Sequence, residues 1–353
     1  MISFGIWNTA FLGDAVLTLP LLQSVRAAYP EAAIHFWVRK GFGGLFAAHP
    51  AVSAVFEYDK RDADRGFFNA MRLGARLARQ RHSVWISAHS SVRSALLARW
   101  SGAKIRIGYD RPRINSWFFT HTVPRRFFEL EEIERLLQLL GPLQLAELRH
   151  WPEIVLPEEA DARAREFLEP LWEVSGEAPV LGLHPGSVWG TKRWPAAYFA
   201  EVGARAIREG AAVVLFAGPG EETMAAEVRE GIRMNTGAAG GERLLDLSGK
   251  LPLPVLAACL GRLDCYVTND SGPMHLAWPQ HTPVVALFGP TVRELGFFPR
   301  GDASTVVEID LPCRPCGLHG PRECPLGHHE CMVAITPDTV WPHVAKNLWR
   351  SMA

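Results

Sequence analysis

Short, mostly apolar runs alternate with longer amphipathic runs along most of the chain. Residues 2–7 and 34–38 have the length and character of buried strands, and residues 14–28 between them carry apolar side chains at helical spacing. The same alternation resumes at residues 180–183. Strands that alternate with helices predict βαβ units and parallel sheets. Because 353 residues exceed the usual size of one hydrophobic core, we expect an α/β protein with two such domains.

The alternation is interrupted near residue 150, where prolines and an acidic run break the periodicity. We place the domain boundary in this stretch, before the strand that resumes the pattern. The expected segments are an N-terminal domain (1–160), a linker that contains a helix (161–178), a second domain (179–336) and a C-terminal helix that can pack back on the N-terminal domain (337–353).

Composition argues against some partners and locations. The 37 Lys and Arg residues balance the 37 Asp and Glu residues, so no net positive field favours nucleic acid. No run reaches the ~20 apolar residues of a membrane-spanning helix. The first residues also lack the basic and apolar regions of a secretory signal. We therefore expect a cytoplasmic protein whose cysteines are reduced.

Gly13 and Asp14 stand where the first strand passes into the first helix. Ligands of open α/β sheets bind at the carboxyl ends of strands, so Asp14 is a candidate general base. Asp is also a preferred residue at helix starts, and on position alone the helix cap is the simpler interpretation. One carboxylate oxygen can serve each role.

A loop rich in glycines, hydroxyls and cations follows the strand at residues 180–183. Backbone amides, hydroxyl donors and cations are the groups that a diphosphate site needs. The residues concerned are His184, Gly186, Ser187, Gly190, Thr191, Lys192 and Arg193. The order of a Walker A motif is absent. The alternative is an ordinary loop before a helix that begins at Pro195, but cations there oppose the helix dipole, and a bound anion would remove that conflict.

A second polar loop follows the strand at residues 264–268. Asp270 is succeeded by Ser271 and Gly272, and a helix is expected to begin near Ser271 with His275 in its first turns. The N-terminus of such a helix is an anion site. Asp270 can cap this helix or accept a sugar hydroxyl. His275 can bind a phosphate, although a packing histidine is the simpler reading of that residue by itself.

Between these loops, Glu221 and Glu222 follow another strand and open a helix. A carboxylate at this place is the usual partner of a nucleotide ribose. Two solvated glutamates, favoured by the helix dipole, are the alternative. The sequence leaves both interpretations open, as well as the choice between the two glutamates.

Three segments in this order resemble the ADP-heptose:lipopolysaccharide heptosyltransferases, glycosyltransferase family 9. They are residues 9–20, 184–195 and 269–277, and the similarity extends over nearly the whole chain. The resemblance implies a GT-B fold, with two Rossmann-like doubly wound domains whose parallel sheets face a central cleft. It also implies inverting transfer of L-glycero-D-manno-heptose from ADP-heptose to the inner core of lipopolysaccharide, most like heptosyltransferase II.

The same resemblance implies roles for individual residues. Asp14 would be the general base, with Gly13, Arg111 and Arg113 on the acceptor side, although each arginine can equally be a solvated surface charge. Lys192 would offset the charge of the ADP leaving group. The residues implied to hold ADP-heptose are Ser187, Thr191, Lys192, Glu221, Glu222, Asp270, Ser271, Gly272 and His275. No Asp-x-Asp motif lies near these loops, so neither an essential divalent metal nor another cofactor is expected.

The implied acceptor is a lipid A–Kdo–heptose core, reached by a monomer that contacts the cytoplasmic face of the inner membrane. Aromatic residues beside the N-terminal cations, at positions 117–119 and 127–128, would suit such contact, although they can equally belong to the core. A related enzyme with another core acceptor or sugar nucleotide is the first alternative. A non-catalytic nucleotide-sugar binding protein is the second, and an intact Asp14 argues against it.

Four cysteines, Cys313, Cys316, Cys324 and Cys331, crowd into one Pro-, Gly- and His-rich segment. Four thiolates in a short loop suit a closed zinc site, but the seven residues between the two pairs are fewer than in common zinc ribbons. The segment also resembles a cysteine-rich stretch of type II heptosyltransferases, and the question of zinc stays open. Cys259 and Cys265 are expected in the core.

Overall fold

The computed structural model describes residues 2–59, 66–145 and 148–350. The chain divides into two compact units, Met1–Pro157 and Glu158–Ala353. The division falls inside the stretch where the sequence pattern is interrupted. Each unit is built from one parallel sheet with helices.

The strands of the first unit are β1 (Ser3–Asn8), β2 (Ala33–Arg39), β3 (Ala54–Tyr58), β4 (Val84–Ser87), β5 (Ile105–Tyr109) and β6 (His121–Val123). They form a six-stranded parallel sheet in the order β3-β2-β1-β4-β5-β6. The helices are α1 (Leu12–Leu17), α2 (Leu19–Ala28), α3 (Gly43–Phe46), α4 (Phe67–Arg79), α5 (Val92–Trp100) and α6 (Glu132–Leu137). The described part of the unit also contains the 3-10 segments Arg113–Trp117, between β5 and β6, and Gln138–Leu143, after α6.

Large aromatic side chains fill much of the first unit's core. Trp7, at the centre of the sheet, has its ring centroid 6.0 Å from those of both Trp37 and Trp85. A side chain at Gly5 would place its Cβ 2.4 Å from Trp85, so only glycine lets this ring lie against β1. The aromatic core therefore depends on a small residue in the central strand.

The strands of the second unit are β7 (Val180–His184), β8 (Ala212–Leu215), β9 (Leu244–Asp246), β10 (Cys265–Asn269), β11 (Val284–Leu287) and β12 (Thr305–Val307). Their parallel sheet has the order β12-β11-β10-β7-β8-β9. The helices are α7 (Glu158–Ser175), α8 (Ala196–Arg208), α9 (Glu222–Gly241), α10 (Leu253–Leu260), α11 (Met274–Ala277), α12 (Glu330–Val333) and α13 (Pro337–Leu348). The 3-10 segments are Gly190–Lys192, Trp278–Gln280 and Arg293–Leu295.

Every position of β4, β8 and β11 is buried, as expected for parallel strands that are covered on both faces. In each sheet, the first three strands follow one another outward on one side, and the next three follow one another outward on the other side. The strand order therefore reverses at a central pair, β1 with β4 and β7 with β10. Ligands of doubly wound sheets bind outside the carboxyl ends of the strands at such a switch point. The sheet order therefore marks one candidate site in each unit.

Two terminal helices of the second unit have partners within that unit. α7 includes residues 161–175 of the predicted linker, and it packs against α10. α13 packs against α8, β10 and β11, and its Trp341, Val344 and Leu348 belong to the unit's core.

Two predicted helices have different bounds in the structure. The expected helix over residues 14–28 is two helices, α1 and α2, which meet at Thr18, and Pro20 lies in the first turn of α2. The helix expected near Ser271 begins only at Met274 and has four residues. No helix within residues 2–59, 66–145 and 148–350 combines the length and apolarity needed to cross a bilayer.

Candidate functional site

Two polar loops lie side by side at the switch point of the second sheet. They follow β7 and β10, which pair in parallel with His184 opposite Thr268. Asn269 joins them, because its side-chain amide donates to the carbonyl oxygen of Pro185 at 2.8 Å and its amide oxygen accepts the Trp194 N–H at 3.0 Å. Asn269 is not among the site residues predicted above, although it directly precedes Asp270 in the polar loop.

The central contact of this site is an ion pair between the two loops. Lys192 Nζ lies 2.5 Å from Asp270 Oδ2, and the Thr291 hydroxyl donates to the same oxygen at 2.7 Å. All three residues are buried. Burial alone would raise the pKa of Asp270, but the Lys192 ammonium and the two hydrogen bonds hold it below its ordinary value. Asp270 is therefore an anion that holds the cation in place.

This pair corrects one argument made from the sequence. Lys192 lies in the 3-10 segment Gly190–Lys192, while α8 begins only at Ala196. Its charge is compensated by Asp270, so a bound anion is not needed to explain a cation before α8. Arg193 is also engaged, since its Nε donates to the Ser187 carbonyl oxygen at 2.8 Å.

His275 is buried beside the ion pair. Burial lowers its pKa to about 4, so the ring is neutral at physiological pH. Its Nδ1 accepts the Trp278 indole N–H at 3.3 Å, which leaves the proton of the neutral ring on Nε2. Ser271 and Gly272, both half-buried, lie in the turn before α11. Because α11 is a single turn, the expected contribution of a helix dipole to anion binding is not supported.

The two hydroxyls of the first loop have different surroundings. The Thr191 hydroxyl donates to the Pro321 carbonyl oxygen at 2.5 Å, so its single proton is engaged by the protein and not available to a phosphate. Ser187 Oγ accepts the Trp189 N–H at 3.3 Å, which uses a lone pair and not the hydroxyl proton. Of the two predicted hydroxyl donors, Ser187 is thus the one placed to donate to a ligand.

The two glutamates are also placed differently. Glu221 Oε2 accepts the Gly218 N–H at 2.8 Å and lies 3.2 Å from His184 Nε2. Burial acts to raise the pKa of Glu221, but the bond to His184 and the Gly218 amide keep it below its ordinary value. A Cβ on Gly186 would lie 1.9 Å from Glu221 Oε2, so this carboxylate closes against the loop. Glu222 is exposed and accepts the Gly220 N–H at 2.9 Å.

In the first unit, Asp14 is the third residue of α1, next to the switch point between β1 and β4. Its Oδ2 accepts the Phe11 N–H at 3.1 Å, so it caps the helix start with one oxygen. Asn8 donates to the Asp14 carbonyl oxygen at 3.0 Å and fixes the turn. Gly13 is buried within α1. Desolvation raises the pKa of Asp14 to about 6, with a smaller upward effect of Glu132 and an opposing effect of Arg125.

Glu132 and Arg125 form a buried network that the sequence did not reveal. Arg125 Nη2 donates to both carboxylate oxygens of Glu132, at 2.8 and 3.0 Å, and Arg135 Nε donates to Glu132 at 2.8 Å. The Arg125 guanidinium also lies 4.5 Å from the centre of the Tyr109 ring. The charge of Arg125 is therefore paired inside the first unit.

Arg111 and Arg113 are exposed, which agrees both with an acceptor contact and with a solvated surface charge. Arg113 opens the 3-10 segment Arg113–Trp117, in which Trp117 is 82% exposed. Arg106 has a structural role, since it donates to the carbonyl oxygens of Phe118 and Ala103 at 2.9 and 2.7 Å.

All six cysteines are free thiols. Cys259 and Cys265 are fully buried, which confirms their predicted place in the core. Across residues 2–59, 66–145 and 148–350, no group of three or more His, Cys, Asp or Glu side chains has the arrangement of a metal site.

Known proteins resemble this chain in sequence and in fold. Residues 70–325 match glycosyltransferase family 9 (heptosyltransferase). The chain is 31% identical over 320 residues to lipopolysaccharide heptosyltransferase 1 of Pseudomonas aeruginosa, covering 88% of this chain and 84% of that protein. It is 26% identical over 342 residues to lipooligosaccharide heptosyltransferase 2 of Campylobacter jejuni, covering 97% and 96%. The solved structure of E. coli ADP-heptose LPS heptosyltransferase II matches with a TM-score of 0.79 at 23% identity, over 100% of both chains.

These matches confirm the resemblance seen in the three sequence segments and the GT-B fold that it implied. The family match covers residues 70–325, which is more than half of the chain. The protein is therefore a glycosyltransferase that belongs to family 9, the heptosyltransferases.

Proposed function

We propose that this enzyme transfers L-glycero-D-manno-heptose from ADP-heptose to the inner core of lipopolysaccharide, with inversion at the anomeric carbon. The proposal is carried by two charged groups, one next to the switch point of each sheet. The second unit holds a buried cation, Lys192, at its switch point. The first unit holds a carboxylate, Asp14, whose pKa is raised to about 6.

The donor side follows from the contacts of Lys192 and His275. The contact with Asp270 engages one of the three ammonium protons of Lys192, and the remaining protons can donate to a diphosphate. Neutral His275 can add a donor through Nε2. As the bond to the sugar breaks, negative charge grows on the departing ADP, and fixed donors of this kind stabilise it. Ser187, Ser271 and Gly272 complete the proposed phosphate and sugar contacts, and Thr191 supports the loop through its bond to Pro321.

For the ribose we propose Glu221 and not Glu222. The contacts of Glu221 with His184 and Gly218 both involve Oε2, so Oε1 can accept from ribose hydroxyls. Glu221 also lies against Gly186, in the loop proposed for the diphosphate. Glu222 points to the solvent side of the same turn.

For the acceptor side we propose that Asp14 removes the proton of the attacking hydroxyl. A general base works best when its pKa lies near the operating pH, and desolvation moves Asp14 in that direction. Attack on the face opposite the departing ADP inverts the anomeric centre. Gly13, beside Asp14, and the exposed Arg111 and Arg113 are the proposed acceptor contacts.

We further propose that no divalent metal is essential, because Lys192 supplies a cation at the leaving group. A chelator that removes divalent ions should leave the rate of heptose transfer unchanged. Loss of transfer that returns with one added metal would overturn this point.

We propose a heptosyltransferase II-like acceptor, lipid A–Kdo carrying one heptose, used by a monomer at the cytoplasmic face of the inner membrane. Similarity to type 2 enzymes over 97% of the chain supports it. A related family member with another acceptor or sugar nucleotide is the second candidate, favoured by the 31% identity to a type 1 enzyme.

Purified enzyme, ADP-heptose and defined truncated cores separate these candidates when products are weighed by mass spectrometry. Transfer to a core with one heptose, and not to a heptose-free core, is the expected result. The reverse preference would contradict the type II assignment. ADP-heptose binding without transfer to either core would point to another acceptor.

A further inference from the structure

The cysteine-rich segment, residues 313–331, has no place in the mechanism described so far. It nevertheless contacts the loop between β7 and α8, residues 185–195, which we call the donor loop. Thr191 of this loop is held by the segment from two sides. Its hydroxyl donates to the Pro321 carbonyl oxygen at 2.5 Å, and its own carbonyl oxygen lies 2.7 Å from His329 Nε2. A carbonyl only accepts, so His329 must carry its proton on Nε2. Lys192 directly follows the residue that is held in this way.

Two further contacts show that the segment and the loop are closely packed. A Cβ on Gly190 would lie 2.5 Å from the Arg322 carbonyl oxygen, so the loop can approach the segment only with glycine at this position. The Trp189 ring lies nearly parallel to the His319 ring, with an interplanar angle of 5° and centroids 6.1 Å apart.

The same segment also reaches the partner of Lys192. The side chain of Arg314 is only 5% exposed, and its Nη2 donates to the Thr291 carbonyl oxygen at 2.7 Å and to the Glu308 carboxylate at 2.6 Å. Its Nε donates to the Gly289 carbonyl oxygen. The hydroxyl of Thr291 in turn donates to Asp270 at 2.7 Å. Arg314 thus holds the backbone of Thr291, the residue whose hydroxyl donates the second hydrogen bond to Asp270.

Both members of the Lys192–Asp270 pair are therefore reached from one segment, through Thr191 on one side and Thr291 on the other. We propose that residues 313–331 form a brace that positions the donor loop, with His329 and Arg314 as positioning residues that set where the Lys192 ammonium meets the diphosphate. The proposal rests on the proposed donor site. Fixed donors stabilise a leaving group only when the protein holds them in place before the reaction.

His329 gives the sharpest test, because its neighbour provides a matched control. His329→Leu removes the donor to Thr191, whereas His329→Gln keeps an amide N–H at similar reach. His328→Leu changes the adjacent histidine, whose Nδ1 accepts the Glu330 N–H at 3.0 Å. His329 has φ of 52°, so His329→Gly removes the side chain and relaxes the backbone at once.

For each variant, ADP affinity is measured by calorimetry and steady-state kinetics are measured separately for donor and acceptor. We expect His329→Leu and His329→Gly to weaken ADP binding and to raise the donor KM by about three- to tenfold, the effect of one lost hydrogen bond. The acceptor KM should not change, His328→Leu should behave as the parent, and His329→Gln should recover most of the affinity. A purely structural role would lower the active fraction without changing the donor KM.

The proposal is overturned if His329→Leu binds ADP as tightly as the parent does. If that variant does not fold, parental ADP affinity in His329→Gly overturns it instead. Lys192→Met tests the proposed donor site independently. Undiminished ADP binding in Lys192→Met would reject the donor site itself, whereas weakened binding there with parental binding in the His329 variants would reject only the brace.

Discussion

Lys192 and Asp270, 78 residues apart in the chain, form a buried ion pair with Nζ 2.5 Å from Oδ2. The pair joins the loops after β7 and β10, and Thr291 donates to the same carboxylate oxygen. A buried charge is tolerated when its partner is present and becomes costly when the partner is removed. This contact thus links the stability of the second unit to the proposed chemistry.

Removal of either partner should destabilise the protein. We expect Asp270→Leu and Lys192→Met each to lower the free energy of unfolding by about 3–5 kcal/mol, because each leaves an uncompensated buried charge. The double variant should regain most of this stability but none of the transferase activity. Denaturant unfolding and heptose transfer, measured on all four proteins, test the two statements separately. Single variants as stable as the parent would show that the pair is not buried as described.

Asp14→Asn should reduce the rate of heptose transfer by about 10²- to 10⁴-fold, the usual effect of losing a general base. ADP binding should be unchanged, because Asp14 belongs to the first unit. In the parent, kcat should fall about tenfold per pH unit below about pH 6, as the carboxylate becomes protonated. The residual rate of Asp14→Asn should lack this acid limb. An acid limb of equal pKa in the variant would assign the titration to another group.

The raised pKa of Asp14 also predicts a cost in stability. The folded pKa of about 6 lies above the ordinary 3.8, so the folded state binds this proton more tightly than the unfolded state. The contribution of Asp14 to stability is fully present below about pH 4 and is lost as the pH rises through 6. Asparagine can still accept the Phe11 N–H and cannot ionise. Asp14→Asn should therefore unfold at a higher temperature than the parent at pH 7.5, and the difference should vanish near pH 4.

The two glutamates provide a matched pair. Glu221→Gln should weaken ADP binding by about tenfold, because it removes the charge from the carboxylate that lies against Gly186 and His184. Glu222→Gln should bind ADP as the parent does, since Glu222 is exposed. Calorimetric titration with ADP and with adenine compares them directly. The opposite ranking would assign the ribose contact to Glu222.

Exposed residues of the segment Arg113–Trp117 predict an interaction with membrane surfaces. Trp117→Ala and Arg113→Ala should each reduce binding to vesicles that contain anionic lipid, because an aromatic side chain and a cation favour the interface. Binding should weaken as salt is added for the parent and less so for Arg113→Ala. Transfer to a short, lipid-free core fragment should be unchanged by Trp117→Ala. Equal vesicle binding by all three proteins would contradict the membrane role of this segment.

Inner strands of both sheets could be predicted from sequence, because parallel strands covered on both faces are nearly continuous apolar runs, and β8 and β11 are apolar at every position. The edge strands β6, β9 and β12 were not predicted. β6, β9 and β12 have only three residues each, and β6 is largely exposed. Short edge strands carry too little apolar periodicity to be distinguished from loops.

The family, the doubly wound sheets and the loops of the candidate site could be read from the sequence, since motifs and hydrophobic periodicity are local properties. Which charges meet depends on the fold. The order of the second sheet places β7 beside β10, and this adjacency brings Asp270 to Lys192 and removes the argument for an anion at α8. The fold also brings Pro321, 130 residues further along the chain, to the Thr191 hydroxyl. Partners so distant in the chain are selected by packing and sheet order, which no local pattern encodes.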